Sequence, residues 1–193
     1  MTEHLVSRFG HVELDDMPDD LRTRIGAIVE RSGFVPHVFL GLARRPAELR
    51  AFMDYHDALM EKDDGLSKAE RELIVVATSG ANHCTYCVVA HGAILRIRMK
   101  DAEIADKVAT NPWAVELNAR ERAIVDLALL IATDSAALTE AELDDARLAG
   151  LSDDEIWDIG AITALFAMSN RLAHLMALRP NPEFYLMGRL PRS

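Results

Sequence analysis

Ser67-Lys-Ala-Glu-Arg-Glu-Leu-Ile-Val-Val-Ala-Thr-Ser-Gly-Ala-Asn-His-Cys-Thr-Tyr-Cys-Val-Val-Ala-His91 is the stretch that decides the fold. It opens on a capping box, Ser67-x-x-Glu70, in which hydroxyl and carboxylate each take an N–H that the first helical turn leaves unpaired. Leu73, Val76 and Ala77 follow at helical spacing. Gly80 is placed to supply the left-handed residue that ends a helix at about Ser79. Ala81 and Asn82 turn the chain, and a second helix is expected from His83 or Cys84. Two helices joined by so short a connection pack antiparallel. Residues equally distant from the turn then lie level, which brings the Glu72 carboxylate beside the His91 ring.

Working outward, the same punctuation recurs. Asn118-x-x-Glu121, Thr139-x-x-Glu142 and Ser152-x-x-Glu155 are three more capping boxes, each ahead of an apolar periodic run. Pro46 suits the first position of a helix reaching about Glu61. No alternating run is long enough for a strand, although Val12 to Leu14 reads as briefly extended. The reading is all-α: a helical bundle built from hairpins. From Pro180 onward the tail is expected to be irregular, with Phe184, Tyr185 and Leu186 docking on the body. Residues 66–77 and 117–128 share Leu, Glu, Arg and Ala at matching places as well as the cap. This is either a chance likeness of two amphipathic helices or an internal duplication. No Gly-, Ser- or Pro-rich linker divides the chain. It reads as a single domain over 1–193: an N-terminal helical segment (1–62), a cysteine-bearing hairpin (63–112), then a degenerate second repeat with the C-terminal tail (113–193).

The chain has 193 residues, half of them hydrophobic, enough for one sizeable core. Its net charge of −10 argues against nucleic acid, whose phosphates need clustered Lys and Arg, and against anionic membrane surfaces. Met1 to Asp16 holds no apolar stretch of the kind an export signal needs. The longest apolar run, Ile159 to Met168, is too short to cross a bilayer. A cytoplasmic protein is expected. There, a Cys-x2-Cys pair is catalytic or metal-binding more often than structural.

Cys84 and Cys87 are the only cysteines. With His91 they fall at i, i+3 and i+7, one face of a helix, and Glu72 arrives from the preceding helix. Helical residues at i and i+3 have Cα atoms about 5 Å apart, within a disulfide's tolerance. A disulfide closing so short a loop restrains little of the unfolded chain, so its use lies in being made and broken. In the first turn of a helix a thiolate is favoured by the dipole and free N–H groups. His91 can take a thiol proton directly or through a water, and Glu72 can hold the imidazole tautomer. Zinc ligation is the rival reading. Structural zinc sites, however, gather ligands from separate elements, and here three donors come from two turns of one helix. No metal is expected. No Gly-rich phosphate loop or dinucleotide fingerprint is present either, so no bound cofactor is expected.

These residues, with others, carry a family resemblance. The Glu-x11-Cys-x2-Cys-x3-His spacing resembles the redox-active branch of the carboxymuconolactone decarboxylase and alkyl hydroperoxidase D superfamily. Arg8-Phe9, Met17-Pro18-Asp19-Asp20, Gly33-Phe34-Val35-Pro36-His37-Val38-Phe39, Asn82-x-Cys84-x-Tyr86-Cys87 and Asn170-Arg171 are similar to its peroxidase-related subgroup. The resemblance implies an all-helical fold and a homo-oligomer, a hexamer first, with dimer or trimer as alternatives. It implies reduction of hydrogen peroxide or organic hydroperoxides by the cysteine pair. Cys87 would attack the peroxide, Cys84 would resolve the sulfenic acid into a disulfide, and Glu72 with His91 would relay protons. An external dithiol, a lipoyl group or a thioredoxin-like protein, would restore the thiols. The best-known alkyl hydroperoxidase D proteins place a second histidine between the cysteines. This chain has Tyr86 there, an auxiliary residue that either donates a hydrogen bond or fills space.

Two other functions stay open on the sequence: a redox switch that reacts once per site, and a cofactor-free lyase or isomerase using Glu72 and His91. Other polar residues read as structural. His56 is expected at a surface or interface and His174 as a satisfied buried or interfacial histidine. Asn170 and Arg171 are expected in structural hydrogen bonding or a subunit contact. Met53, Met60, Met168, Met176 and Met187 read as core gap-fillers.

Overall fold

The computed structural model describes residues 6–189. The ends of the chain, including the first five residues read for an export signal, lie outside the described residues. Among those described there are nine α-helices and no strand: α1 (Asp19–Ser32), α2 (His37–Leu42), α3 (Pro46–Met60), α4 (Lys68–Ala81), α5 (Thr85–Met99), α6 (Ile104–Thr110), α7 (Ala119–Asp134), α8 (Glu140–Leu148) and α9 (Asp153–Met176). No described helix is long and apolar enough to cross a membrane.

α4 is the axis of the bundle. Arg71 through Ser79 are buried without a break, as a helix enclosed on every side requires. α5, α6, α7 and α9 all pack against it. Leu73 and Val76 meet Leu95 of α5, Val108 of α6 and Val125 of α7. Ile74 and Val75 meet Ile124 of α7 and Ile159, Ile162 and Phe166 of α9. A third apolar cluster joins α1, α2, α3 and the C-terminal tail to the start of α5, and the two cysteines belong to it.

All four capping boxes form. Two of them do more than cap. Arg120, in the first turn of α7, binds the Glu70 carboxylate of the α4 box at 2.7 Å and the Glu155 carboxylate of the α9 box. Its remaining nitrogen donates to the Gly150 carbonyl at 2.8 Å. One guanidinium thus ties together the starts of α4, α7 and α9, using its planar fork. The likeness of residues 66–77 to 117–128 therefore corresponds to two capped helices packed against each other. Beyond them the segments diverge: α5 follows the first, and a 3-10 turn with the short α8 follows the second.

Several local expectations are corrected. Gly80 does not end α4, which runs on to Ala81. The left-handed residue is His83 (φ 54°), and a side chain there is tolerated because the turn is held from both sides. The Cys84 N–H donates to the Ser79 carbonyl at 2.9 Å, and the His174 ring reaches the His83 carbonyl at 3.2 Å. Gly80 is needed for a different reason: a Cβ there would lie 2.7 Å from the Ala109 carbonyl oxygen and 2.8 Å from its Cα. α6 crosses α4 at that point. Val12 pairs with the Leu40 carbonyl, but the chain coils at once into a 3-10 turn over Leu14–Asp16. Met53, Met60 and Met176 are buried and Met187 packs on the core, whereas Met168 is exposed on α9. Of the three tail residues expected to dock, Phe184 does, edge-on to Phe34 at 4.8 Å, while Tyr185 and Leu186 stay exposed. Buried Arg96 pins this segment by donating to the Phe184 and Met187 carbonyls.

Candidate active site

The expected level placement of the hairpin arms is realised. His91 Nδ1 lies 2.8 Å from Glu72 Oε2, α5 to α4. Phe166 of α9 closes the other side of the imidazole, 4.7 Å between centroids with the rings nearly perpendicular. The carboxylate therefore fixes the orientation of the ring and leaves Nε2 as its free nitrogen.

Both cysteines are free thiols, 1% and 2% exposed. Cys84 is the N-cap of α5 and Cys87 lies in its first turn. Their ionisations diverge. The Cys84 thiol is lowered to about 6, first by the hydrogen bond from the Cys87 thiol, against the cost of burial. The Cys87 N–H, His174 and Asn170 add to the lowering. The Cys84 sulfur makes no capping hydrogen bond of good geometry, so the main-chain contribution is the field of the first turn. Cys87 is pushed well above the ordinary thiol range by the same sulfur–sulfur bond, by burial and by the adjacent charge. A second thiolate beside the first would be opposed by Coulomb repulsion in a dry interior. The pair thus favours a single negative charge, drawn toward Cys84 first by the hydrogen bond from the Cys87 thiol.

Asn170 makes the structural hydrogen bonds expected of it, next to the cysteines. It is fully buried and donates to Ser79 Oγ at 3.1 Å, while its carbonyl accepts from Asn82 Nδ2 at 3.1 Å. Its amide lies close enough to both sulfurs, and Ser169 to Cys87, to favour the thiolate form of each. The signal was present: an adjacent Ser-Asn pair interrupting an apolar helix marks a buried polar demand on that face. Arg171, the next residue, points out and caps the Ala167 carbonyl. His174 lies close enough to Cys84 to favour its thiolate. Tyr86 is buried, and its hydroxyl accepts the Val38 N–H at 3.0 Å. Burial raises its pKa, so it ties α2 to α5 as a neutral phenol. His56, expected at a surface or interface, is partly exposed, and its ring centroid lies 6.4 Å from that of His91.

No hydrogen bond joins His91 to either sulfur among the described residues. No cluster of three or more His, Cys, Asp or Glu side chains suited to a metal occurs among the described residues. A cavity of about 780 Å³ between α4, α6 and α7 touches His83 but is lined by neither cysteine.

Fold and site together define a helical-hairpin protein that buries a neighbouring-turn dithiol beside a carboxylate–imidazole pair. Residues 46–111 match the model of the Carboxymuconolactone decarboxylase family. The chain is 53% identical to the alkylhydroperoxidase AhpD core structure of an uncharacterized peroxidase-related protein from Ralstonia eutropha JMP134. That match covers 98% of this chain and 100% of that one, with a TM-score of 0.96. It is 35% identical to an uncharacterized peroxidase-related protein from Silicibacter sp. TM1040, covering 92% of this chain and 94% of that one, TM-score 0.87. The debrominase Bmp8 shares the fold at 19% identity, covering 97% of this chain and 98% of that one, TM-score 0.78. No curated protein matches the chain. The chain belongs to the carboxymuconolactone decarboxylase family, in its alkylhydroperoxidase D-like branch.

Proposed function

We propose that the protein is a thiol-dependent peroxidase that reduces hydrogen peroxide or small organic hydroperoxides through a Cys84–Cys87 dithiol–disulfide cycle. One observation carries this reading: two free, buried thiols at the start of α5 lie one turn from the Glu72–His91 pair. The peroxidase-related descriptions of the two relatives above support it.

The order of events follows from the electrostatics. The Cys84 thiolate attacks the terminal peroxide oxygen, the O–O bond breaks, and sulfenic acid and an alkoxide form. The alkoxide takes a proton and leaves as alcohol. The Cys87 thiol then attacks the Cys84 sulfur. A disulfide forms, and the sulfenic hydroxyl departs as water with the Cys87 proton. His91, one turn beyond Cys87, is placed to take and return that proton. This order reverses the one the resemblance implies. The choice rests on direction: the hydrogen bond between the thiols lowers the Cys84 pKa and raises that of Cys87, which favours Cys84 as the attacking thiolate.

The regenerating reductant in this proposal is an external dithiol, a lipoyl group or a thioredoxin-like protein, and the compartment is the cytoplasm. Self-association is proposed as well. Trp157, Met168 and Leu175 lie uncovered on one face of α9, an apolar stripe that a second copy would bury.

The test is steady-state consumption of hydrogen peroxide and cumene hydroperoxide with dithiothreitol as donor. Many turnovers per subunit are expected. A single oxidation per site would make the protein a redox switch instead. Activity on any substrate that survives loss of both cysteines would point to Glu72–His91 lyase or isomerase chemistry. Trapping with dimedone in Cys87→Ser should label Cys84. A label that forms only at Cys87, in Cys84→Ser, reverses the order of attack.

A further inference from the structure

We infer that His56 is the solvent-side member of a two-imidazole relay through which the buried thiol site takes up and releases one proton per cycle. The inference rests on the peroxidase reading above. His56 of α3 lies 6.4 Å from His91 between centroids, with the planes at 48°. Phe166 of α9 packs against both rings, at 4.7 Å from His91 and 6.3 Å from His56. Three helices thus bring two imidazoles into one aromatic-walled cleft.

The rings are anchored alike. His91 Nδ1 is held by Glu72 at 2.8 Å, and His56 Nδ1 by Asp57 at 3.1 Å. In neither ring does Nε2 have a hydrogen-bond partner among the described residues. A centroid separation of this size leaves room between the rings for one bridging water or substrate hydroxyl. Exposure climbs along the line: 10% for the Glu72 side chain, 16% for His91, 27% for His56. Asp57 is itself held at about 2, first by the His56 bond, then by Arg24 at 2.6 Å, so its charge is permanent. The charged groups facing His56 are thus Asp57 on its own helix, Arg24 of α1, and the His91–Glu72 pair of α5 and α4. α9 presents only Phe166 there.

The chemistry creates the need for such a path. The attacking thiol gives up its proton to solvent before it meets the peroxide. Thiolate and hydroperoxide give sulfenic acid and alkoxide, and the alkoxide must gain a proton inside an apolar cluster. Disulfide formation is proton-neutral, releasing water. After the external dithiol has reduced the disulfide, Cys84 loses its proton again. One proton enters and one leaves per turnover, and His56 is the imidazole of the pair that meets water.

The experiment compares wild type with His56→Ala and His56→Gln. Steady-state hydrogen peroxide turnover is measured with dithiothreitol in dilute buffer, with and without added imidazole. The exchange of the His91 ring proton with water is followed by NMR in histidine-labelled protein. His56→Gln can keep the bond to Asp57 but carries no proton, and it guards against a misfolded alanine variant. Both variants should lose about 10²-fold in kcat. Imidazole should restore His56→Ala in proportion to its concentration, and His91 exchange should slow at least tenfold. Either variant turning over within twofold of wild type overturns the relay, as does unchanged His91 exchange. Should wild type itself fail to consume peroxide, the proposed function falls. The exchange measurement then still decides the relay: slowed exchange supports it and unchanged exchange removes it.

Discussion

Replacing Cys87 by alanine should move the ionisation of Cys84 upward, and the amount can be worked from the site. In the wild type, Cys84 titrates at about 6, and the leading cause is the thiol hydrogen bond from Cys87. A hydrogen bond to a charged group contributes about 1.5–3 kcal/mol, and 1.36 kcal/mol is one pH unit, so its loss should raise the midpoint by about 1–2 units. The assay is the pH dependence of iodoacetamide alkylation, resolved by peptide mass, with thiolate absorbance as a second readout. The absolute rate is a poor guide. At pH 7 a thiol titrating near 6 is ~90% ionised against ~1% for one at 9, but lower basicity returns about 15- to 30-fold of that gain, leaving only a few-fold advantage. The midpoint is diagnostic. Reactivity should be present above about pH 6 and be lost as pH falls through that value, with one thiol per chain responding. A wild-type midpoint at 8.5 or above, or no movement in Cys87→Ala, would refute the shared-charge picture.

Four further outcomes are expected. Glu72→Gln should lower peroxide turnover by about 10²-fold while leaving the alkylation midpoint in place, because the His91 relay is not bonded to a sulfur. Asn170→Ala should raise that midpoint and destabilise the fold by about 2–4 kcal/mol in a denaturant titration, since Ser79 and Asn82 lose a buried partner along with the sulfurs. Gly80→Ala drives a methyl into the Ala109 main chain and should cost about 1–3 kcal/mol, a fall of roughly 3–10 °C in Tm by calorimetry. Arg120→Ala unties the starts of α4, α7 and α9 and should cost about 2 kcal/mol; as the carboxylates are partly buried, high salt should not reproduce the loss.

The helices were legible because their starts are written locally: four polar residues each followed three later by Glu, all four realised. The Glu72–His91 contact was legible for a geometric reason, since two arms of one hairpin share a single origin of counting. What the chain alone did not disclose comes from crossings between segments far apart in sequence. Gly80 looked like a helix terminator because the nearness of Ala109 cannot be counted from a turn. Asn170 was legible as a structural hydrogen-bonding residue, but the partners of Asn170 and the nearness of His56 to His91 were not, because periodicity gives the face of a helix and not the neighbour that face meets. Arg120 was visible only as a member of a repeated motif, and its bridging role depends on how three helix starts converge. The ionisation of the thiols lies furthest from sequence: it depends on which sulfur meets the helix terminus and which donates to the other.

Burial is what makes the dithiol more than a pair of adjacent cysteines. In water, two thiols of ordinary pKa would ionise nearly independently at alkaline pH. Enclosed together, the first charge is favoured by donors that ask for no reorganisation: the Cys87 thiol, the Asn170 amide and the first turn of α5. The second charge is opposed by the first. In the proposed peroxidase cycle the same enclosure starves the site of protons, since the leaving alkoxide cannot draw on bulk water through an apolar cluster. A buried thiolate therefore demands a separate proton inlet. In this fold the polar line that leaves the cluster at the level of α5 runs from Glu72 through His91 to the facing His56 and Asp57. Deep thiols and outward-stepping imidazoles are in that sense one design requirement: the drier the sulfurs, the more the reaction depends on the ring nearest solvent.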